Sequence, residues 1–167
     1  MAGTLSVQKI QGLATSATPT TVEIASGHVL QAPGHVIQVV NSFQELSVNT
    51  TSTSYVDTGM TVTITPKNAS NKILLLAHFI IQLAGSRSRY TIHSSASGGV
   101  LHGSNNQGFV ALEGNANANR NVHIHHLDSP NTTNAVTYKI QYLNTGGSST
   151  FLVDDNPQNF TAMEIAG

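Results

Sequence analysis

One stretch, Lys72 to Ala84, limits what this chain can fold into. It reads K-I-L-L-L-A-H-F-I-I-Q-L-A and is the only long apolar run in a sequence otherwise rich in Ser, Thr, Asn and Gly. The run has no 3.6-residue rhythm. Pro66 and Asn68-Ala69-Ser70-Asn71 precede it and Gly85-Ser86 follows it, so a β-strand is predicted rather than a helix. Thirteen residues are also too few for a helix to cross a bilayer. Alternation along a strand puts Ile73, Leu75, Ala77, Phe79, Ile81 and Leu83 on one wholly apolar face. The opposite face carries Leu74, Leu76, His78, Ile80 and Gln82, more apolar than water tolerates. An antiparallel sheet normally covers the core with one face and meets solvent with the other. A central strand apolar on both faces therefore predicts a neighbouring subunit, with Leu74, Leu76, His78 and Ile80 as expected interface residues.

Composition narrows the partners. Charged residues are 9% of the 167, against about 25% in ordinary soluble domains. The surface must be polar but neutral. A net charge of −1 with scattered Lys and Arg leaves no footprint for nucleic acid or anionic lipid, so neither is an expected partner. The absence of cysteine removes disulfides and thiol chemistry. The first residues, M-A-G-T-L-S-V-Q-K-I-Q-G, lack the charged and apolar segments of a secretory signal, and export by that route is not expected.

Residues 1–34 are small and polar with isolated apolar positions, and Thr18-Pro19-Thr20-Thr21 breaks any helix. They are read as an extended arm that orders against something else, or as a flexible tail. In the first case Leu5, Val7, Ile10 and Leu13 are the anchoring residues. The globular domain is expected over residues 35–167. Strands are predicted at 36–43, 45–48, 54–56, 61–65, 72–84, 87–93, 99–102, 109–112, 121–127, 135–143, 150–153 and 159–166. Short strands separated by Gly, Asn, Ser and Pro turns, with no amphipathic helix, describe an all-β sandwich or jelly roll. In 135–143, Val136, Tyr138, Ile140 and Tyr142 share a face. Tyr138 and Tyr142 are candidates for a subunit interface, where an apolar ring with a polar tip is useful, or else for the subunit's own core.

Histidine is the one titratable type in excess, with eight, densest in Asn121-Val122-His123-Ile124-His125-His126. On a strand His123 and His125 point the same way, and threefold symmetry would gather six such imidazoles, enough for an octahedral metal. With no carboxylate or cysteine at ligand spacing, surface or interface histidines are the favoured reading, and no metal or other cofactor is expected. No G-x-S-x-G elbow occurs, Asp154-Asp155 sits in a turn, and Gly98-Gly99-Val100-Leu101-His102-Gly103 lacks the Lys of a phosphate loop. An enzyme is not expected. The polar loops 94–98, 103–107, 115–121 and 144–149 are either solvated turns or carbohydrate contacts.

Thr63-Ile64-Thr65-Pro66-Lys67-Asn68-Ala69-Ser70-Asn71-Lys72-Ile73-Leu74-Leu75 resembles an "I-T-P-x-x-x-x-x-K-I-L-(L/V)" run of certain tailed-bacteriophage virion proteins. Gly34-His35-Val36-Ile37-Gln38-Val39-Val40 resembles their "G-x-V-I-Q-V-V" first strand, and Met163-Glu164-Ile165-Ala166-Gly167 their closing "(M/I)-E-I-A-G". Together these motifs span roughly residues 34–167. The resemblance implies a homotrimeric jelly roll similar to the tumour-necrosis-factor fold, found in capsid cement or decoration proteins and at the tips of tail fibres and tailspikes. The short segment before the domain favours capsid decoration, with a location on the outer capsid surface, the major capsid protein as partner and host glycans as further contacts. The alternative is a short tail-fibre or tailspike host-recognition protein that binds surface polysaccharide.

Overall fold

The computed structural model describes residues 32–84, 86–102, 108–114, 118–146, 148–152 and 158–167. Leu5, Val7, Ile10 and Leu13 lie outside the described residues. Every regular element among the described residues is a β-strand. In chain order these are β1 (Val36–Gln44), β2 (Val48–Thr50), β3 (Val56–Ile64), β4 (Lys72–Ala84), β5 (Ser86–Ser94) and β6 (Gly99–Val100). They are followed by β7 (Val110–Gly114), β8 (Ala118–Asp128), β9 (Val136–Asn144), β10 (Ser148–Leu152) and β11 (Gln158–Ile165). All pairings are antiparallel, and the strands form one six-stranded and one five-stranded sheet.

β4 organises the larger sheet. Along one edge it pairs with β8 from Ile73 to Leu83. Along the other it pairs first with β11, from Lys72 to His78, and then with β10, from Ile80 to Ala84. β1 lies outside β11, and β2 outside β10. The smaller sheet runs β3-β9-β5-β6, with β7 also on β5. The two sheets pack face to face as a sandwich. Ile73, Leu75, Ala77, Phe79, Ile81 and Leu83 of β4 are at most 3% exposed and meet Met60, Val62, Ile64, Tyr90, Ile92 and Ile140 from the opposite sheet. The Phe79 and Tyr90 rings bridge the layers with centroids 5.4 Å apart.

Two placements are open for the tyrosines of β9, an interface or the core. Tyr138 and Tyr142 lie within the chain's own core, buried with Val136 and Ile140, and the interface placement falls. The two-residue period showed which residues of β9 share a face. It could not show that this face meets the other sheet. Burial pushes the Tyr142 hydroxyl up to about 12. It also raises that of Tyr138, which donates a 2.8 Å hydrogen bond to Asp128 Oδ2. A second difference concerns segments 54–56 and 61–65, expected as separate strands. Residues 56–64 are one strand, β3, whose register against β9 shifts between Asp57 and Thr61. Gly59, at φ +90°, takes the left-handed conformation that lets the chain bulge and continue. Gln44 of β1 fills the bulge, donating from Nε2 to the Gly59 carbonyl at 3.3 Å and accepting from Thr61 N–H at 2.9 Å.

The ends of the domain meet at a buried carboxylate. Glu164 of β11 is 0% exposed. Its Oε1 accepts from Lys67 N–H at 2.6 Å, Asn68 N–H at 3.4 Å and Asn71 Nδ2 at 2.6 Å, and its Oε2 from Gln38 Nε2 at 2.6 Å. Asn71 in turn accepts from Gly167 N–H at 3.1 Å, and a side chain at Gly167 would collide with the Ser70 carbonyl. Burial works to raise the Glu164 pKa, but the hydrogen bonds from Asn71, Gln38, Lys67 and Asn68 together outweigh it, and the carboxyl is held below its ordinary value.

Glu164→Gln puts an NH2 group among these donors and is expected to cost about 2–4 kcal/mol at pH 7, read from urea melts. A carboxyl whose folded pKa is depressed stabilises fully above its unfolded value, near 4.5, and loses that contribution as pH falls through the lower folded value. The gap between wild type and Glu164→Gln should therefore narrow below about pH 4.5. An equal gap at pH 7 and pH 3 would show that Glu164 does not act as an anion.

Candidate functional site

The outer face of the six-stranded sheet, turned away from the sandwich core, is the candidate site. Register sets its composition. Directly paired positions place Val39, Met163, Leu74 and Leu127 in one row across β1, β11, β4 and β8. The next row is Asn41, Thr161, Leu76 and His125, and the one after it Phe43, Asn159, His78 and His123. Side chains opposite one another across antiparallel strands are in direct contact range, so each row is a continuous strip. None of these residues is Asp, Glu, Lys or Arg.

Exposure singles this face out. The large hydrophobic residues left exposed among the described residues are Val36, Val39, Phe43, Leu76 and Leu127, at 38–59%. All five lie here, Val36 opposite Ile165 at the end of β1. Isolated exposed apolar residues are ordinary, but a contiguous set on one face marks a contact surface. Leu74, Ile80 and His78 are half-buried by neighbouring strands, and Leu76 stands out further.

At the centre of the strips His78 and His123 pair directly across β4 and β8, their rings stacked at 4.5 Å between centroids with 24° between planes. His125, two residues further along β8, lies on the same face opposite Leu76. These three imidazoles, with Leu76, Asn159 and Thr161, line an open cleft of about 360 Å3. His126 turns inward and packs edge-on against Phe109, centroids 5.1 Å apart. Burial lowers its pKa, with His102 acting the same way and Asp128 opposing. Among the described residues, no three His, Cys, Asp or Glu side chains of one chain are grouped to hold a metal ion.

A second, more polar cleft of about 470 Å3 lies where the loop after β5 meets the loop between β8 and β9. Ser95, Asn131, Thr132 and Asn134 line it, and Asn131 is in the left-handed region at φ 52°. This places part of the expected polar loop 94–98 at a concavity. Residues 103–107, 115–117 and Asp154-Asp155 lie outside the described residues, while 119–121 belong to β8.

The sequence-level reading of this face reached β4 and, on β8, His123 and His125. Val39, Phe43, Leu127 and Met163 were missed because alternation on a short strand does not say which of its faces meets the core. For β11 polarity misleads, since Glu164 is inside and Met163 outside. Compared with known proteins, the chain matches no protein-family profile and no curated protein sequence.

Proposed function

We propose that this chain is a structural protein of a tailed-bacteriophage virion, a homotrimeric jelly roll similar to the tumour-necrosis-factor fold, whose trimers decorate and cement the outer capsid surface. The observation that carries the reading is the gathering of Val36, Val39, Phe43, Leu76 and Leu127 on one uncharged sheet face. A second copy of the chain is the occupant that fits it. The polar groups interspersed there, Asn41, Asn159, Thr161 and the imidazoles, each both donate and accept hydrogen bonds, so the face can satisfy its own copy without charge pairing. Three copies turning this face toward a common axis close a ring and leave no open end. Full burial of each large apolar side chain contributes about 1.5–3 kcal/mol, so even partial burial of five per chain favours association by several kcal/mol.

Two further features support it. The strand orders β1-β11-β4-β8 and β3-β9-β5-β7 interleave early and late strands in both sheets, as a jelly roll does. The segments that resemble phage virion proteins are neighbours in space, since Gln38, the loop 67–71 and Glu164 meet at one carboxylate. As cement, the trimer bridges neighbouring capsomers, residues 1–34 anchor it to the major capsid protein, and the contacts stabilise only the assembled shell, by mass action. No catalytic step is part of this role. A tail-fibre or tailspike host-recognition protein is the second reading. The polar cleft of Ser95, Asn131, Thr132 and Asn134 favours it, because hydroxyl and amide groups at a concavity suit a surface polysaccharide.

Light scattering on the purified chain should give the mass of three chains. Leu76→Lys combined with Leu127→Lys should give monomers with an unchanged far-UV CD spectrum, because both side chains project away from the core. A wild-type monomer at micromolar concentration would remove the trimer from the reading. Cryo-electron microscopy of the particle should place trimers on the shell at local threefold positions, with residues 1–34 following the capsid surface. Density at the tail alone would transfer the protein to adhesion.

A further inference from the structure

We infer that His78 and His123 form a binding site for a divalent transition-metal ion, a role the structural reading above does not require. The geometry comes from the sheet of a single chain. His78 and His123 are directly opposed across β4 and β8 and their rings already lie 4.5 Å apart. Directly opposed residues have Cβ atoms about 4.5–5.5 Å apart, a separation that two imidazoles close onto one ion with N–metal distances of about 2.0–2.1 Å. Torsion about the terminal side-chain bond is soft, and the cleft in front of the rings is open, so the change from stacking to chelation moves no backbone. The strands are held by pairing over the whole length of β4 from Ile73 to Leu83, which fixes the two ligands in advance.

The surroundings agree in chemistry. His125 is the next residue on the same face, one row away opposite Leu76, and is not part of the pair. Leu76 and Thr161 flank the pair, and no Asp, Glu or Lys lies in its row. An all-imidazole donor set selects borderline ions such as Zn2+, Ni2+ and Cu2+ over Mg2+ or Ca2+, which require oxygen ligands. One chain supplies two ligands and leaves the remaining positions to water. The site is defined within one chain, so it and the trimer succeed or fail separately.

The test is titration of Ni2+ and Zn2+ into the full chain carrying no added histidines, followed by calorimetry, with the ring resonances of histidine read by NMR. Saturable binding is expected, with the His78 and His123 rings shifting together. His78→Gln and His123→Gln should each weaken binding at least tenfold while keeping the wild-type CD melt. His35→Gln, at an exposed histidine beside β1, should leave binding unchanged. Absence of saturable binding, or binding that survives both substitutions, would overturn the site. Light scattering on the same metal-free samples reads assembly independently. A trimer that binds no ion ends this inference and leaves the assembly reading standing. A monomer that binds the ion through His78 and His123 does the reverse.

Discussion

β4 is apolar on both faces, and the two faces meet different surroundings. The inner face is covered by the chain itself, with Phe79 against Tyr90 and a buried row from Ile73 to Leu83. To hold that row flat, both edges of β4 must be paired along their length. The fold achieves this with three strands, β8 on one side and β11 followed by β10 on the other. Those same pairings carry Met163, Leu127, Val39 and Phe43 onto the outer face beside Leu74 and Leu76. The exposed apolar face is thus a consequence of closing the core. A change that moves β8 by one residue would bury His123 and His125 and expose Val122, Ile124 and His126.

Glu164 plays a complementary part. A buried carboxylate with four hydrogen-bond donors is costly to disrupt, and its donors come from β1, from the loop before β4 and from that loop's last residue, Asn71. The stretches 34–40, 63–75 and 163–167 supply these groups. Their residues are therefore accounted for by the architecture. Gln38, Lys67, Asn68, Asn71 and Glu164 hold the ends of the domain together, and none of them faces either cleft. The same stretches also reach the outer face, through Val39, Leu74 and Met163, while Leu76, His78, His123, His125 and Leu127 lie outside them.

The legible parts of this chain were those where one local signal dominates. β4 runs from Lys72 to Ala84 as expected, because an apolar run bounded by turn-forming residues leaves little freedom at its ends. His123 and His125 share a face for the same simple reason, period two on a strand. What was not legible depended on partners. β8 begins at Ala118 rather than 121 because Asn119 and Arg120 pair with Gln82 and Ile81, a tertiary reason that polar residues do not advertise. The stacking of His78 on His123 joins residues far apart in sequence and follows only from the register of β4 with β8. Glu164 is the sharpest case, since a lone acidic residue in an alternating strand is normally the solvent-facing one, and here the donors around it reverse the rule.

Scarcity of charge gives the face its last constraint. With charged residues at 9%, the chain has few ion pairs with which to specify a partner or repel a wrong one. Among the described residues the ion pairs Arg87–Glu113 and Lys139–Asp57 both belong to the five-stranded sheet, away from the apolar strips. An apolar surface without charges binds readily but selects poorly, because burial is indifferent to register. Directional groups within the strips must then set the alignment. Asn41, Asn159, Thr161 and the His78–His123 pair are the groups placed to do so, and they sit together in the two rows next to the wholly apolar one. Apolar area gives this face its affinity for burial, and these few polar side chains, with His125, are its only directional groups among the rows described.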